Sequence, residues 1–240
     1  MPPGPTPARL LLVEDDATSR AFLVAASEAL PATVDAASSV SEALAIAAAR
    51  DHDLWLIDAH LPDGSGAELL SMLRARGLHA PALAHTATRD EDTIGTLRAA
   101  GFDGVVCKPL PADAWRDALR QALRGEAATS RTPPGDTTAT VRPVWDDAAA
   151  LAAMNGNAAH VDALRALFLA ELPALAGTLS AASAAGDPHA VLATLHKLRA
   201  SCGFVGAARV DAAAQALRAS PASAPMMAAL AQAIQETLSS

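Results

Sequence analysis

Five short apolar runs, at 10–14, 32–36, 53–58, 81–86 and 104–108, alternate with helical patterns near 17–30, 40–50, 66–76, 90–100 and 111–124. No other feature of the chain restricts its fold so tightly. Continuously apolar strands bury both faces, and parallel neighbours need a helical crossover to return the chain, so the alternation specifies a parallel sheet covered by helices on both sides. In such a sheet ligands bind outside the carboxyl ends of the strands. Residues 8–124 are therefore expected to form a doubly wound, five-stranded parallel (βα)5 domain of the α/β class, with its site along one edge.

Between Gly125 and Pro143 the apolar periodicity stops and Thr, Pro, Gly, Ser and Asp take over, as in Thr132-Pro133-Pro134-Gly135-Asp136-Thr137-Thr138. This composition marks a flexible linker over 125–144. Beyond it no strand-like run recurs. Ala- and Leu-rich helical patterns cover roughly 146–154, 158–185, 188–204, 207–219 and 225–238, so 145–240 reads as an all-α helical bundle. Gly186-Asp187-Pro188 sets a stop, a cap and a first-turn proline in succession. Pro173 falls inside the longest pattern, where it either kinks one helix or divides it in two. Residues 1–7 form a short, proline-rich tail, expected to be disordered, without the charged start and apolar stretch of a signal peptide.

The charge balance removes several functions. A formal net charge of −8, with no Lys/Arg cluster, gives no attraction for DNA. The apolar stretches are interrupted by charges and prolines before reaching the roughly 18 residues of a membrane span, so the expectation is a soluble cytoplasmic protein without membrane insertion. Cys107 and Cys202 fall in different halves, implying neither a disulfide framework nor a paired zinc motif. Trp55, Trp115 and Trp145 are too scattered for a base-stacking platform and suit core or domain-contact positions.

The acidic residues gather where the fold puts a site. Glu14, Asp15 and Asp16 follow the first strand, Asp58 ends the third, Thr86 ends the fourth and Lys108 ends the fifth. Solvated loop acids would account for any one of these, but not for their placement together. Carboxylates so gathered repel unless compensated, and a hard divalent cation such as Mg²⁺ compensates them. A nearby hydroxyl and ammonium can then hold the remaining oxygens of a phosphoryl group. Lys108 is one of only two lysines beside sixteen arginines, the other being Lys197, directly after His196. A chain so biased towards Arg keeps Lys where a compact ammonium is needed.

Four segments, Leu11-Leu12-Val13-Glu14-Asp15-Asp16, Leu56-Ile57-Asp58-Ala59-His60-Leu61-Pro62-Asp63-Gly64-Ser65-Gly66, His85-Thr86-Ala87 and Val106-Cys107-Lys108-Pro109, occur in the order found in response-regulator receiver domains, which 8–124 resembles. The resemblance implies that Asp58 is the phosphoacceptor and that Glu14, Asp15, Asp58 and the backbone carbonyl of His60 arrange Mg²⁺. It further implies that Thr86 contacts the phosphoryl oxygen and shifts on activation, while Lys108 neutralises its charge. Asp16 lies one place beyond the usual acidic pair. Val105 stands where many receivers carry a switching aromatic ring, which puts an aromatic switch in doubt. His60 and Thr88 occupy positions that modulate phosphate lifetime in this family. His60 has a second reading as a metal ligand or catalytic base through its ring, although neighbouring acids suit Mg²⁺ through oxygen.

In the helical half, Val191, Leu195, Leu198, Cys202 and Val205 recur at helical spacing and are expected in the core, while His196, Arg199, Ala200 and Gly203 share another face. That face joins a nucleophile, a cation and small residues that let a partner approach closely, with Lys197 and Arg199 placed to offset phosphoryl charge. A lone helical histidine is ordinarily structural. Here Leu195-His196-Lys197-Leu198-Arg199-Ala200-Ser201 and the later Gly206-Ala207 resemble histidine phosphotransfer (Hpt) domains, which are helical bundles, with Arg199 in place of the usual Lys and Ala200 in place of the usual Gly. The resemblance makes His196 the acceptor. His52, His79, His85, His160 and His189 are assigned no site.

No ATP-binding kinase motif follows the receiver-like half; a second phosphoacceptor does. The reading is a phosphotransfer intermediate of a two-component phosphorelay, accepting phosphate on Asp58 and His196 and exchanging it with a sensor histidine kinase, simple or hybrid, and a downstream response regulator. The alternative is a phosphorylation-controlled binding regulator that sequesters a kinase or regulator without onward transfer. A phospho-aspartyl hydrolase of another α/β family is disfavoured, since His60 occupies the place of its second acid.

Overall fold

A computed structural model describes residues 7–87, 90–108, 110–125, 142–154 and 156–240. Residues 1–6 of the expected tail, 126–141 of the expected linker, and Thr88 and Pro109 lie outside the described residues. Two compact units lie on either side of 126–141.

The first unit runs β1 (Ala8–Val13), α1 (Ala17–Glu28), β2 (Ala32–Ala37), α2 (Val40–Ala49), β3 (Leu54–Asp58), a two-residue hairpin of β4 (His60–Leu61) and β5 (Gly64–Ser65), α3 (Gly66–Ala75), β6 (Ala82–Thr86), α4 (Glu91–Ala99), β7 (Gly104–Cys107) and α5 (Ala112–Leu123). Its sheet has the order β2-β1-β3-β6-β7, all parallel, so the winding reverses between β1 and β3. β3 and β6 are buried at every residue, which explains their uninterrupted apolar runs. Register then fixes the site. Val13 pairs with Ile57, Asp58 with His85, and Thr86 with Cys107, so Glu14, Asp58, His85 and Lys108 converge at one end of adjacent strands.

The loops above that edge are held by capping. Asp16 caps α1 by accepting from the Ser19 N–H at 2.7 Å, and Arg20 Nη1 donates to the carbonyls of Glu14 and Asp15 at 2.7 and 3.1 Å. Ser65 and Glu68 form a reciprocal capping box at the start of α3. Asp63 accepts from the N–H groups of Val40 and Ser41, tying the hairpin to the start of α2. A Cβ on Gly66 would stand 2.3 Å from the carbonyl oxygen of Asp58, so only glycine lets α3 begin against that backbone.

The second unit is helical: α6 (Asp147–Ala153), α7 (Ala158–Ala184), α8 (Pro188–Val205), α9 (Ala208–Ala219) and α10 (Ala224–Leu238). α7 packs on α8 and α10, and α9 packs on the same two, closing a four-helix bundle with α6 against α7 and α8. Pro173 lies within α7, which continues through it as one helix. Among the described residues α7 is the one helix long and apolar enough to cross a membrane by length and composition; in this structure its Val161, Leu164, Phe168, Leu172 and Leu179 are buried. Asp187 caps α8 with Pro188 in its first turn, as the local sequence predicts. Trp145 rests edge-on against Phe168, lies under the Arg165 guanidinium and donates from Nε1 to the Ser240 hydroxyl at 2.8 Å.

Gly206 ends α8 in the left-handed region, at φ 73°, and its carbonyl accepts from the Asp146 N–H at 2.7 Å. A Cβ there would stand 2.3 Å from the Asp146 carbonyl oxygen. Gly206→Ala is expected to destabilise the bundle by about 2–4 kcal/mol, combining left-handed strain with overpacking. Amide hydrogen exchange checks this: protection should fall across α6 and α8 and stay unchanged in the sheet of the first unit.

Candidate functional site

The carboxyl edge of the sheet holds a buried cluster. Glu14, Asp58 and Lys108 are 1%, 3% and 2% exposed, leaving no solvent to compensate their charges. Lys108 Nζ donates to Glu14 Oε2 and to Asp58 Oδ2, each at 2.6 Å. The other Asp58 oxygen, Oδ1, accepts from the His60 N–H at 2.9 Å, while Glu14 Oε1 accepts from the Asp16 N–H at 3.3 Å. Thr86 is fully buried at the end of β6, and Asp15 is half-buried beside Glu14. His60 is an exposed residue whose backbone N–H reaches Asp58, with a ring nitrogen within 4.8 Å of the Asp58 carboxylate. Asp16 serves as a helix cap, accounting for an acid beyond the usual pair.

These contacts polarise the two carboxyls in opposite directions. Burial works to raise Asp58, but the Lys108 charge, His85 and the hydrogen bonds from Lys108 and His60 outweigh it and hold Asp58 below the usual carboxylate range. Burial raises Glu14 well above that range; Lys108 opposes this and the Asp58 charge adds to it. Burial alone would lower Lys108, yet Asp58 and Glu14 together raise it. Asp58 is thus held ionised, with a single ammonium between it and Glu14.

Glu14 and Asp58, two buried carboxylates brought together on one ammonium, offer the hard oxygen that fits a divalent cation of the Mg²⁺ kind. His85, assigned no site from the sequence, lies beside this cluster. It is wholly buried, with Nδ1 3.4 Å from Glu14 Oε2 and 3.7 Å from Asp58 Oδ2. Its strand position gave the only signal, and that signal needs the register pairing it with Asp58.

In the second unit, α8 carries His196, Lys197 and Arg199, all half-buried. Val191, Leu195, Leu198, Cys202 and Val205 line the core as expected. Ala200, expected on the open face, is 2% exposed. Arg199 Nε donates to Asp211 Oδ1 on α9 at 2.8 Å, so this cation is already committed to a carboxylate.

Residues 10–120 match the response regulator receiver domain family and residues 163–240 match the Hpt domain family. The chain belongs to the two-component signalling proteins: its first unit is a response regulator receiver domain and its second an Hpt domain. It is 39% identical over 125 residues to the sensor histidine kinase AruS of Pseudomonas aeruginosa, covering 50% of this chain and 12% of that protein. It is 34% identical over 125 residues to the KDP operon transcriptional regulatory protein KdpE of Escherichia coli, covering 52% of this chain and 55% of that one. The chemotaxis response regulator CheY4 of Vibrio cholerae superposes on 49% of this chain and 99% of its own at 24% identity, with a TM-score of 0.47.

Removing the ammonium should expose how much the cluster relies on it. Lys108→Met leaves two buried carboxyls uncompensated and is expected to destabilise the receiver unit by about 3–5 kcal/mol. Urea unfolding at pH 7 without divalent cation measures the deficit, and millimolar Mg²⁺ should narrow it.

Proposed function

We propose that the chain is a phosphorelay protein in which Asp58 and His196 are the phosphoacceptors, of a receiver over 8–124 and a phosphotransfer bundle over 145–240 joined by 125–144. The observation that carries this reading is the buried Asp58 carboxylate, kept ionised by Lys108, in a chain that also presents His196 on α8 of an Hpt domain.

Transfer to Asp58 follows from those contacts. An Asp58 oxygen attacks the phosphorus of a phosphohistidine; the new O–P bond forms as the P–N bond breaks, and the departing imidazole nitrogen keeps the electron pair. An ionised carboxylate needs no general base. Lys108 stabilises charge on the transferring group, and Thr86 contacts a phosphoryl oxygen. Glu14, Asp15, Asp58 and the His60 carbonyl would hold Mg²⁺, which when bound supplies charge neutralisation at the phosphoryl oxygens. On α8 the His196 ring is the nucleophile towards a partner's acyl phosphate, with Lys197 as the supporting cation and Arg199 limited by its tie to Asp211. The partners are a sensor histidine kinase and a second receiver-bearing regulator, in the cytoplasm.

Mg²⁺-dependent labelling from a phosphorylated kinase or a small acyl phosphate tests this on wild type, Asp58→Ala and His196→Ala. Acyl phosphate and phosphohistidine are distinguished by their opposite acid and base stabilities. Wild type should carry label on both residues, and His196→Ala should abolish onward transfer to a second receiver. Label on neither residue overturns the reading, and onward signalling that tolerates His196→Ala replaces it with a binding regulator. Label on His196 that requires Asp58 sets the direction of flow from Asp58 to His196.

A further inference from the structure

Burying an imidazole among carboxylates, with neither nitrogen hydrogen-bonded, carries a cost that an apolar side chain would avoid. His85 is close to that position: it is 0% exposed, and neither Nδ1 nor Nε2 makes a hydrogen bond of ordinary geometry, although the Leu56 and Val13 backbone lies near the ring. Its place is held from behind. The Trp115 ring meets it edge-on at 5.8 Å and 81°, and Trp115 is itself anchored by Nε1 donating to the Ser27 hydroxyl at 2.9 Å, which donates to the Leu23 carbonyl at 2.7 Å. From the front, Nδ1 lies 3.4 Å from Glu14 Oε2 and 3.7 Å from Asp58 Oδ2, the same two oxygens that share Lys108 Nζ.

We propose that His85 is a positioning residue for phosphoryl transfer at Asp58, supplying to Glu14 the hydrogen bond that Lys108 relinquishes when its ammonium turns to the phosphoryl group. The inference rests on the reading of Asp58 as acceptor. At rest the one ammonium donates to both carboxylates. As the O–P bond forms at Asp58, further anionic oxygens appear beside that ammonium and draw it away from Glu14. A buried Glu14 oxygen then loses its donor, and the Nδ1–H tautomer of His85 reaches it by closing the 3.4 Å gap and turning its N–H towards Oε2. The unpartnered nitrogen of the resting site becomes a partnered one after transfer.

The test uses the full chain with acetyl phosphate and Mg²⁺, comparing wild type with His85→Leu, which removes the donor, His85→Asn, whose amide nitrogen stands near Nδ1, and His85→Gln, whose amide nitrogen stands nearer Nε2. In the reaction an Asp58 oxygen bonds phosphorus and acetate leaves with the electron pair of the broken P–O bond. His85→Leu should lower the maximal phosphorylation rate on the order of tenfold, the effect of one hydrogen bond to a charged group, with KM for acetyl phosphate unchanged. His85→Asn should recover most of the rate, and His85→Gln less. A Leu variant as fast as wild type, or Asn and Gln variants equally slow, overturns the proposal, and the Asn–Gln comparison decides it if the Leu variant does not fold. Absence of label on wild-type Asp58 would instead overturn the acceptor assignment and this inference with it.

Discussion

One buried ammonium governs the first unit's chemistry. Lys108, reaching from the end of β7, holds Glu14 beyond β1 and Asp58 at the end of β3, so residues from three strands meet on a single nitrogen. Neither carboxylate has solvent to turn to. The rest of the edge serves that meeting: parallel register aligns the strand ends, Arg20 clamps the carbonyls of Glu14 and Asp15, and the His60 N–H fixes the second Asp58 oxygen. Two carboxylates gathered on one ammonium are also what suits the cluster to the divalent cation proposed for it.

The two candidate acceptors solve the same problem in different surroundings. Asp58, as the proposed acceptor, has its proton held off by its buried neighbours. A neutral imidazole offers a lone pair without losing a proton. Neither needs a general base, which suits groups that both receive and release phosphate. Their scaffolds differ accordingly: a sheet edge crowded with charge in one unit, and one helix between a proline-started first turn and a left-handed glycine in the other.

Much of this was legible because it is local or periodic. Strands buried on both faces read as continuous apolar runs, and Gly186-Asp187-Pro188 marked the start of α8 by local chemistry alone. The cluster of Glu14, Asp58, Thr86 and Lys108 followed from strand ends sharing one edge. The hairpin β4–β5 was invisible, since two-residue strands carry no period. The closeness of His85 to the cluster was not legible, because its neighbours are set by the β3–β6 register. The pairing of Arg199 with Asp211 depends on how α8 meets α9, which no spacing along one helix encodes. Pro173 was undecidable for a similar reason: packing, rather than the proline, determines that α7 runs on.

The bond between the Trp145 indole and the Ser240 hydroxyl joins residues 95 positions apart in sequence and brings the bundle's first and last turns to the same place. A unit whose entry and exit lie side by side occupies almost no length along a longer polypeptide. Such a module can be spliced between other segments, or appended to them, without stretching the chain across its own body. Its architecture makes it portable, a property that depends on where its ends sit and not on the chemistry of its histidine.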